Sequence, residues 1–357
     1  MPLVAYSPLP TFAKLANEGE HLLNLPRANT QHIRELHIGL LNMMPDAALQ
    51  STERQFMRLI GNSNRIAQFY VHPFSLDGIE RSEDTQDYIK RYYSSFTELS
   101  EKGLDALIIT GANVPPGQFR NAPFWDDLTK VLDFARAKVT STLCACLATH
   151  AAMEHFYNVQ RVPLKEKCWG VFEHQSSRQP HPLIRNINTR FNVPHSRFND
   201  IPRDRFDKAN LRTLIQSADA GVHLAVSEDL FRFILFQGHP EYDRNSILKE
   251  YKREVVRFIA GDLPTYPNLP SSYFQPEGED LATLFKTRVL DSNQPEGLID
   301  SFPETALLDH VDNTWGDSAR AIFSNWIGLV YQLTHRNRKH PFMDDIDPND
   351  PLGLLAP

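Results

Sequence analysis

Fifteen consecutive residues without a formal charge, Val139 to Met153 (VTSTLCACLATHAAM), interrupt a chain that is 23% charged. The β-branched opening of this run favours a strand and its alanine-rich continuation a helix, which leaves room between them only for a tight turn. A side chain at such a turn sits at the carboxyl end of a strand and the amino end of a helix. Unpaired backbone N–H groups and the helix dipole favour negative charge there. A thiolate is stabilised at that point, which makes Cys146 the candidate nucleophile. The competing reading is two small cysteines, Cys144 and Cys146, buried as core hydrophobes.

The chain of 357 residues fits one large α/β domain with an appended segment as well as it fits two domains. A formal charge of −7 with no dense Lys/Arg block argues against nucleic acid as a partner. A small or anionic ligand needs only local positive charge. Three cysteines are too few and too clustered for a disulfide framework, and the start MPLVAYSPLP lacks the features of a secretory leader. No run is apolar enough to span a membrane, so a soluble cytoplasmic protein is expected.

Along the chain, residues 1–34 read as an N-terminal arm covering the body. Leu36 to Asn42 is a continuous apolar run suited to a strand buried on both faces of a parallel sheet. A helix is expected from Ser51 to Ile60 with Ser51 as its N-cap. Strands follow at Ile66–Val71 and Leu104–Thr110, separated by a charged, Tyr-rich helix or excursion over 81–103. An amphipathic helix spans Phe124–Lys138 and leads into the Val139 strand. This alternation predicts a three-layer α/β sandwich with a mostly parallel sheet. Ligands bind at the carboxyl ends of strands in such sheets, which nominates the loop Gly111–Gly117 and the Cys146 turn.

The second half is richer in strands, with short segments at Trp169–His174 and Asn192–His195 and a meander over Leu211–Ser217, Gly221–Ser227 and Phe231–Gln237. These suit an antiparallel extension of the sheet. The meander runs into Gly238-His239-Pro240-Glu241. In extended chain, residues two apart face one way, so His239 and Glu241 can act as a base and its orienting carboxylate. Arg244–Ile259, Leu281–Leu290 and Ser318–Thr334 read as helices. A Pro-rich connection lies between the first two, and residues 336–357 read as a loosely ordered tail. The expected division is 35–262 for the catalytic body and 263–335 for the connection and helices packed on it.

Seven ordered motifs carry a resemblance: LNMMP at 41–45, ITGA at 109–112, VTSTLCACLATHAAM, EKCWGVFEH at 166–174, PHSR at 194–197, GHPEYD at 238–243 and FSNWI at 323–327. Together, over Leu36–Gln332, they resemble the homoserine O-acyltransferase family, which has the class I glutamine-amidotransferase-like fold. A longer region between GHPEYD and FSNWI and a tail past Gln332 depart from it.

The resemblance implies acyl transfer from an acyl-CoA co-substrate to the hydroxyl of L-homoserine in methionine biosynthesis, with no resident cofactor and no metal. By this similarity Cys146 is the acyl-enzyme nucleophile, His239 the general base and Glu241 its orienting partner. Lys167, Ser196 and Arg253 are substrate-contacting residues, and Pro115 holds the acyl-selectivity position. The family carries Glu there with acetyl-CoA and Gly with succinyl-CoA; the uncharged Pro115 favours succinyl. Serine is the alternative acceptor, and a homodimer is expected. A cysteine hydrolase or glutaminase on the same fold, and a non-catalytic binding module, are the alternatives from other classes.

Overall fold

The computed structural model describes residues 3–64, 66–112, 114 and 119–355. Its centre is a nine-stranded sheet built from β3 (Glu35–Leu41), β4 (Gln68–Phe74), β5 (Ala106–Ile109), β6 (Ser141–Ala145), β7 (Val162–Ser176), β8 (Arg190–Asp200), β9 (Arg212–Ser217), β10 (Gly221–Val226) and β11 (Phe233–Phe236). The spatial order is β4-β3-β5-β6-β11-β10-β9-β7-β8. The first five in that order run parallel and the rest are antiparallel, so the expected mixed architecture is present. Two short strands, β1 (Val4–Ala5) and β2 (Leu23–Asn24), pair apart from it.

The helices are α1 (Pro10–Asn17), α2 (Leu25–Asn29), α3 (Asp46–Ser63), α4 (Glu83–Tyr92), α5 (Phe96–Lys102), α6 (Trp125–Lys138), α7 (Leu147–Tyr157), α8 (Arg203–Lys208), α9 (Ser246–Ile259), α10 (Pro276–Asp291), α11 (Glu304–Asp309) and α12 (Gly316–Leu333). Strand alternation distributes them. Ala106 and Ile108 join one core with Phe56 and Met57 of α3 and Phe323 and Trp326 of α12. Leu107 and Ile109 point the other way, into a core with Leu128 and Leu132 of α6 and Ala148 and Ala151 of α7. A third cluster joins Trp169 and Val171 to α9, α10 and α11.

Four expectations change. The helix expected from Ser51 begins at Asp46 after Pro45, and the Ser51 hydroxyl donates to Ala48 O instead of capping. Proline at the cap position sets the extended entry, and Asp46 supplies the first-turn acid. The two short strands expected at 169–174 and 192–195 are the middle of one long hairpin, β7–β8. None of Val162–Cys168 in its outer half is buried, so no apolar pattern marked that length.

The arm is also more than a cover. Phe12 and Leu15 enter the core beside α3, and the Thr11 hydroxyl donates to buried Glu53. The tail expected to be loose is held: Phe342 is buried, Met343 N donates to Leu333 O, and the Thr140 hydroxyl donates to Pro341 O. Its prolines and aspartates form turns without regular structure, and it is anchored by these few groups.

Candidate active site

Cys146 stands between β6 and α7 with φ 51° and ψ −107°. A non-glycine residue rarely holds that geometry, and its surroundings enforce it. Cys146 N donates to Phe236 O at 2.8 Å, and the Thr149 hydroxyl lies 2.8 Å from the same carbonyl. Cys144, two residues back, is fully buried in the core, and burial pushes its thiol pKa far up. Cys146 instead lines a cleft of about 900 Å³ at the carboxyl end of the parallel strands.

Parallel pairing of β11 with β6 sets Phe236 beside Ala145, so the chain leaving β11 passes Cys146. Three residues on, His239 lines the same cleft, with its backbone N–H tied to Pro194 O at 2.8 Å. Its Nδ1 lies 2.8 Å from Glu241 Oε1, and both side chains are buried. The expected pairing forms, but by a turn at Pro240-Glu241 and not by strand alternation. Burial alone would lower the His239 pKa. The charges of Glu241 and Cys146, with hydrogen bonds to both, outweigh it and hold the imidazole well above its usual range. Tyr242 stacks on the ring with centroids 4.3 Å apart, fixing its plane.

Glu250, on α9, was not singled out by the sequence reading. Its Oε2 accepts from the Ser196 hydroxyl at 2.6 Å, Trp169 Nε1 at 3.0 Å and Lys167 Nζ at 3.4 Å, while Oε1 accepts from the Tyr242 hydroxyl at 2.7 Å. Burial raises a carboxyl pKa, but the Lys167 charge and these donors prevail and lower it. Lys167 is itself lowered, first by desolvation, and its ammonium sits 4.1 Å over the Trp169 ring. The signal that could have found Glu250 is its place three residues after Ile247, at the margin of the α9 apolar stripe.

Lys167 and Ser196 line the cleft with Cys146 and His239; Arg253, half-exposed, stands on its rim. Gly111, Ala112 and Val114 form the facing wall. Pro115 lies outside the described residues. The N–H groups of Gly111, Ala112 and Leu147 have no backbone acceptor among the described residues, and a Cβ on Gly111 would stand 3.7 Å from Cys146 Cβ. Donors so close to a nucleophile suit an oxyanion.

A nucleophile at an elbow, a paired base and a polar cleft can perform several acyl transfers, and comparison with known proteins narrows the choice. A family model described as homoserine O-succinyltransferase matches residues 2–336. The chain belongs to the homoserine O-succinyltransferase family.

The homoserine O-succinyltransferase of Nitrosococcus oceani is 53% identical over 357 residues, covering 100% of both chains. That of Methylobacter tundripaludum is 52% identical over 354 residues, 99% of this chain and 100% of its own. The family likeness therefore includes the arm and the tail, which corrects the expectation that the region past Gln332 departs from it. Among solved structures, a glutamine amidotransferase from Methylobacillus flagellatus matches with a TM-score of 0.43 at 12% identity, over 83% of this chain and 95% of its own. No helix among the described residues is long and apolar enough to cross a membrane.

Proposed function

We propose that the chain transfers a succinyl group from succinyl-CoA to the hydroxyl of L-homoserine through a Cys146 acyl-enzyme, as a step of methionine biosynthesis. The observation that carries this reading is Cys146 at a strained elbow, opening on one cleft with His239, whose imidazole is paired to Glu241. Family membership supports this choice of substrates.

In the first half-reaction the Cys146 thiolate attacks the thioester carbon. The oxyanion is met by N–H groups of Leu147 and the Gly111–Ala112 wall, and the bond to the CoA sulfur breaks as that sulfur takes the proton held by His239. In the second half the homoserine hydroxyl gives its proton to His239 and its oxygen attacks the acyl carbon. The bond to Cys146 breaks and the thiolate returns. Glu241 keeps the Nδ1 proton facing inward, so Nε2 serves both steps. Lys167 and Arg253 supply cations for the amino acid carboxylate, and Glu250 holds Lys167 and Ser196 in register.

The test is intact mass after exposure to succinyl-CoA, followed by homoserine, serine or water alone. The wild type and Cys144→Ser should carry one succinyl adduct that homoserine discharges, and Cys146→Ser should carry none. An adduct surviving in Cys146→Ser would refute the assignment. Discharge by water as fast as by homoserine would show a hydrolase.

A further inference from the structure

One cation in the cleft wall has no role in this chemistry. Arg197 follows Ser196 on β8, and consecutive strand residues face opposite sides of a sheet. Ser196 thus reaches Glu250, while Arg197 reaches away from it, toward Asp200 and the β9–β10 turn. The Arg197 side chain is only 4% exposed. Its Nη2 donates to Asp200 Oδ1 at 2.9 Å and Ala220 O at 2.6 Å. Nε and Nη1 are buried without a hydrogen-bond partner among the described residues. Burying guanidinium donors unpaired is unfavourable, so a site that keeps them so is completed by an acceptor from outside.

The surroundings say which acceptor. Arg161 lines the same cleft, half-buried against the Phe119 ring, with no carboxylate within ion-pair reach among the described residues. His150 is also there, but Gln237 Oε1 accepts from Ile201 N, which fixes that amide and makes His150 Nε2 the donor at 3.1 Å. His150 Nδ1 is then a lone pair and cannot serve an anion. Arg161 and Arg197 therefore both line the cleft without bonding to the Glu250–Lys167–Ser196 group. Nη1 presents a charge-assisted donor to a carboxylate oxygen, while Nε lies on the guanidinium edge it shares with the occupied Nη2.

We propose that Arg197, assisted by Arg161, binds the terminal carboxylate of the donor's acyl group, so that this chain selects the CoA thioester of a short dicarboxylic acid. The inference rests on the acyl-enzyme reading above. Cys146 takes the carbonyl end of the acyl group and Arg197 its far end, while the amino acid enters from the α9 side. Donor choice then depends on a residue outside the Gly111–Gly117 loop.

The test is single-turnover acylation of Cys146, followed by CoA release and intact mass, with succinyl-CoA, its neutral amide analogue succinamyl-CoA, and acetyl-CoA. The wild type should acylate from succinyl-CoA on the order of 100-fold faster than from the amide. Arg197→Met should lose at least about tenfold more rate on succinyl-CoA than on acetyl-CoA, and Arg161→Gln should lose less in the same direction. Arg197→Lys should recover part of the succinyl rate through its charge alone. Equal loss on all three donors, or an unchanged succinyl rate, would overturn the inference. So would a wild type indifferent to amide replacement, a measurement that needs no variant. A wild type acylated by none of the donors would instead remove the acyl-enzyme reading, and this inference with it.

Discussion

His239 is the residue whose protonation the neighbourhood controls most tightly. Two effects oppose in it: burial disfavours the imidazolium, and Glu241 and Cys146 favour it more strongly. In the acyl-enzyme the sulfur no longer carries charge, so Glu241 is the remaining cause. A base must be neutral to accept a proton, so activity rises with pH through the His239 pKa. Glu241→Gln removes the charge that raises this pKa and leaves the burial that lowers it. The acid limb of kcat/KM for homoserine should therefore move toward acid by about one to three pH units, while the plateau falls because the ring loses its orienting partner. A limb that stays in place would mean Glu241 does not set the proton affinity. The motif GHPEYD made this pair legible from sequence. The turn that forms it was not, since Pro240 can stand in a strand edge or a turn, and the chain carries no other local cue.

At the scale of elements, the β7–β8 hairpin depends on a contact that residue spacing conceals. Gly170 has φ +139°, and a Cβ there would lie 2.1 Å from Ser271 O. The Pro-rich connection docks onto β7 at this point: Ser271 N donates to Trp169 O at 2.9 Å, and Val171 N donates to Ser271 O at 2.8 Å. Gly170→Ala should push the connection off the strand and move Trp169, which donates to Glu250. The expected cost is about 1–3 kcal/mol, read as a lower unfolding midpoint, with faster proteolysis within 262–275. A Gly170→Ala variant as resistant to protease in that segment as the unsubstituted protein would count against the docking. The parallel core was readable because its strands are short apolar runs punctuated by turn residues. The hairpin was not, because β7 is half-exposed along its outer part and Ser271, which docks on it, is distant in sequence.

Over the whole molecule, buried histidines set the response to acid. The pKa values of His37, His174 and His181 are pushed down to about 4, and those of His72 and His150 to about 3, chiefly by burial. His195 and His223, packed with His174, are also held well below the usual value. Unfolded, each takes a proton near pH 6.5; folded, none does until pH 4 or lower. The unfolded state therefore binds more protons in that window, and stability falls as pH falls, by about 1.4 kcal/mol per pH unit for each such group. His239, with its raised pKa, opposes the trend as a single group. Thermal unfolding midpoints should drop steeply from pH 6.5 to 5; a flat profile would show these rings to be hydrated. Composition could not disclose this, since fourteen histidines in a sequence do not say which are buried. The closing of the fold by α12 has a further consequence. Phe323, Trp326 and Val330 complete the core that holds Ile38, Ile108 and α3, and they follow every strand of the sheet in sequence. A ribosome that has made the first 300 residues has released every strand of the sheet but not the helix that roofs this face. The nascent protein keeps that apolar surface open for as long as translation takes to reach Leu333, an interval in which it is prone to aggregation.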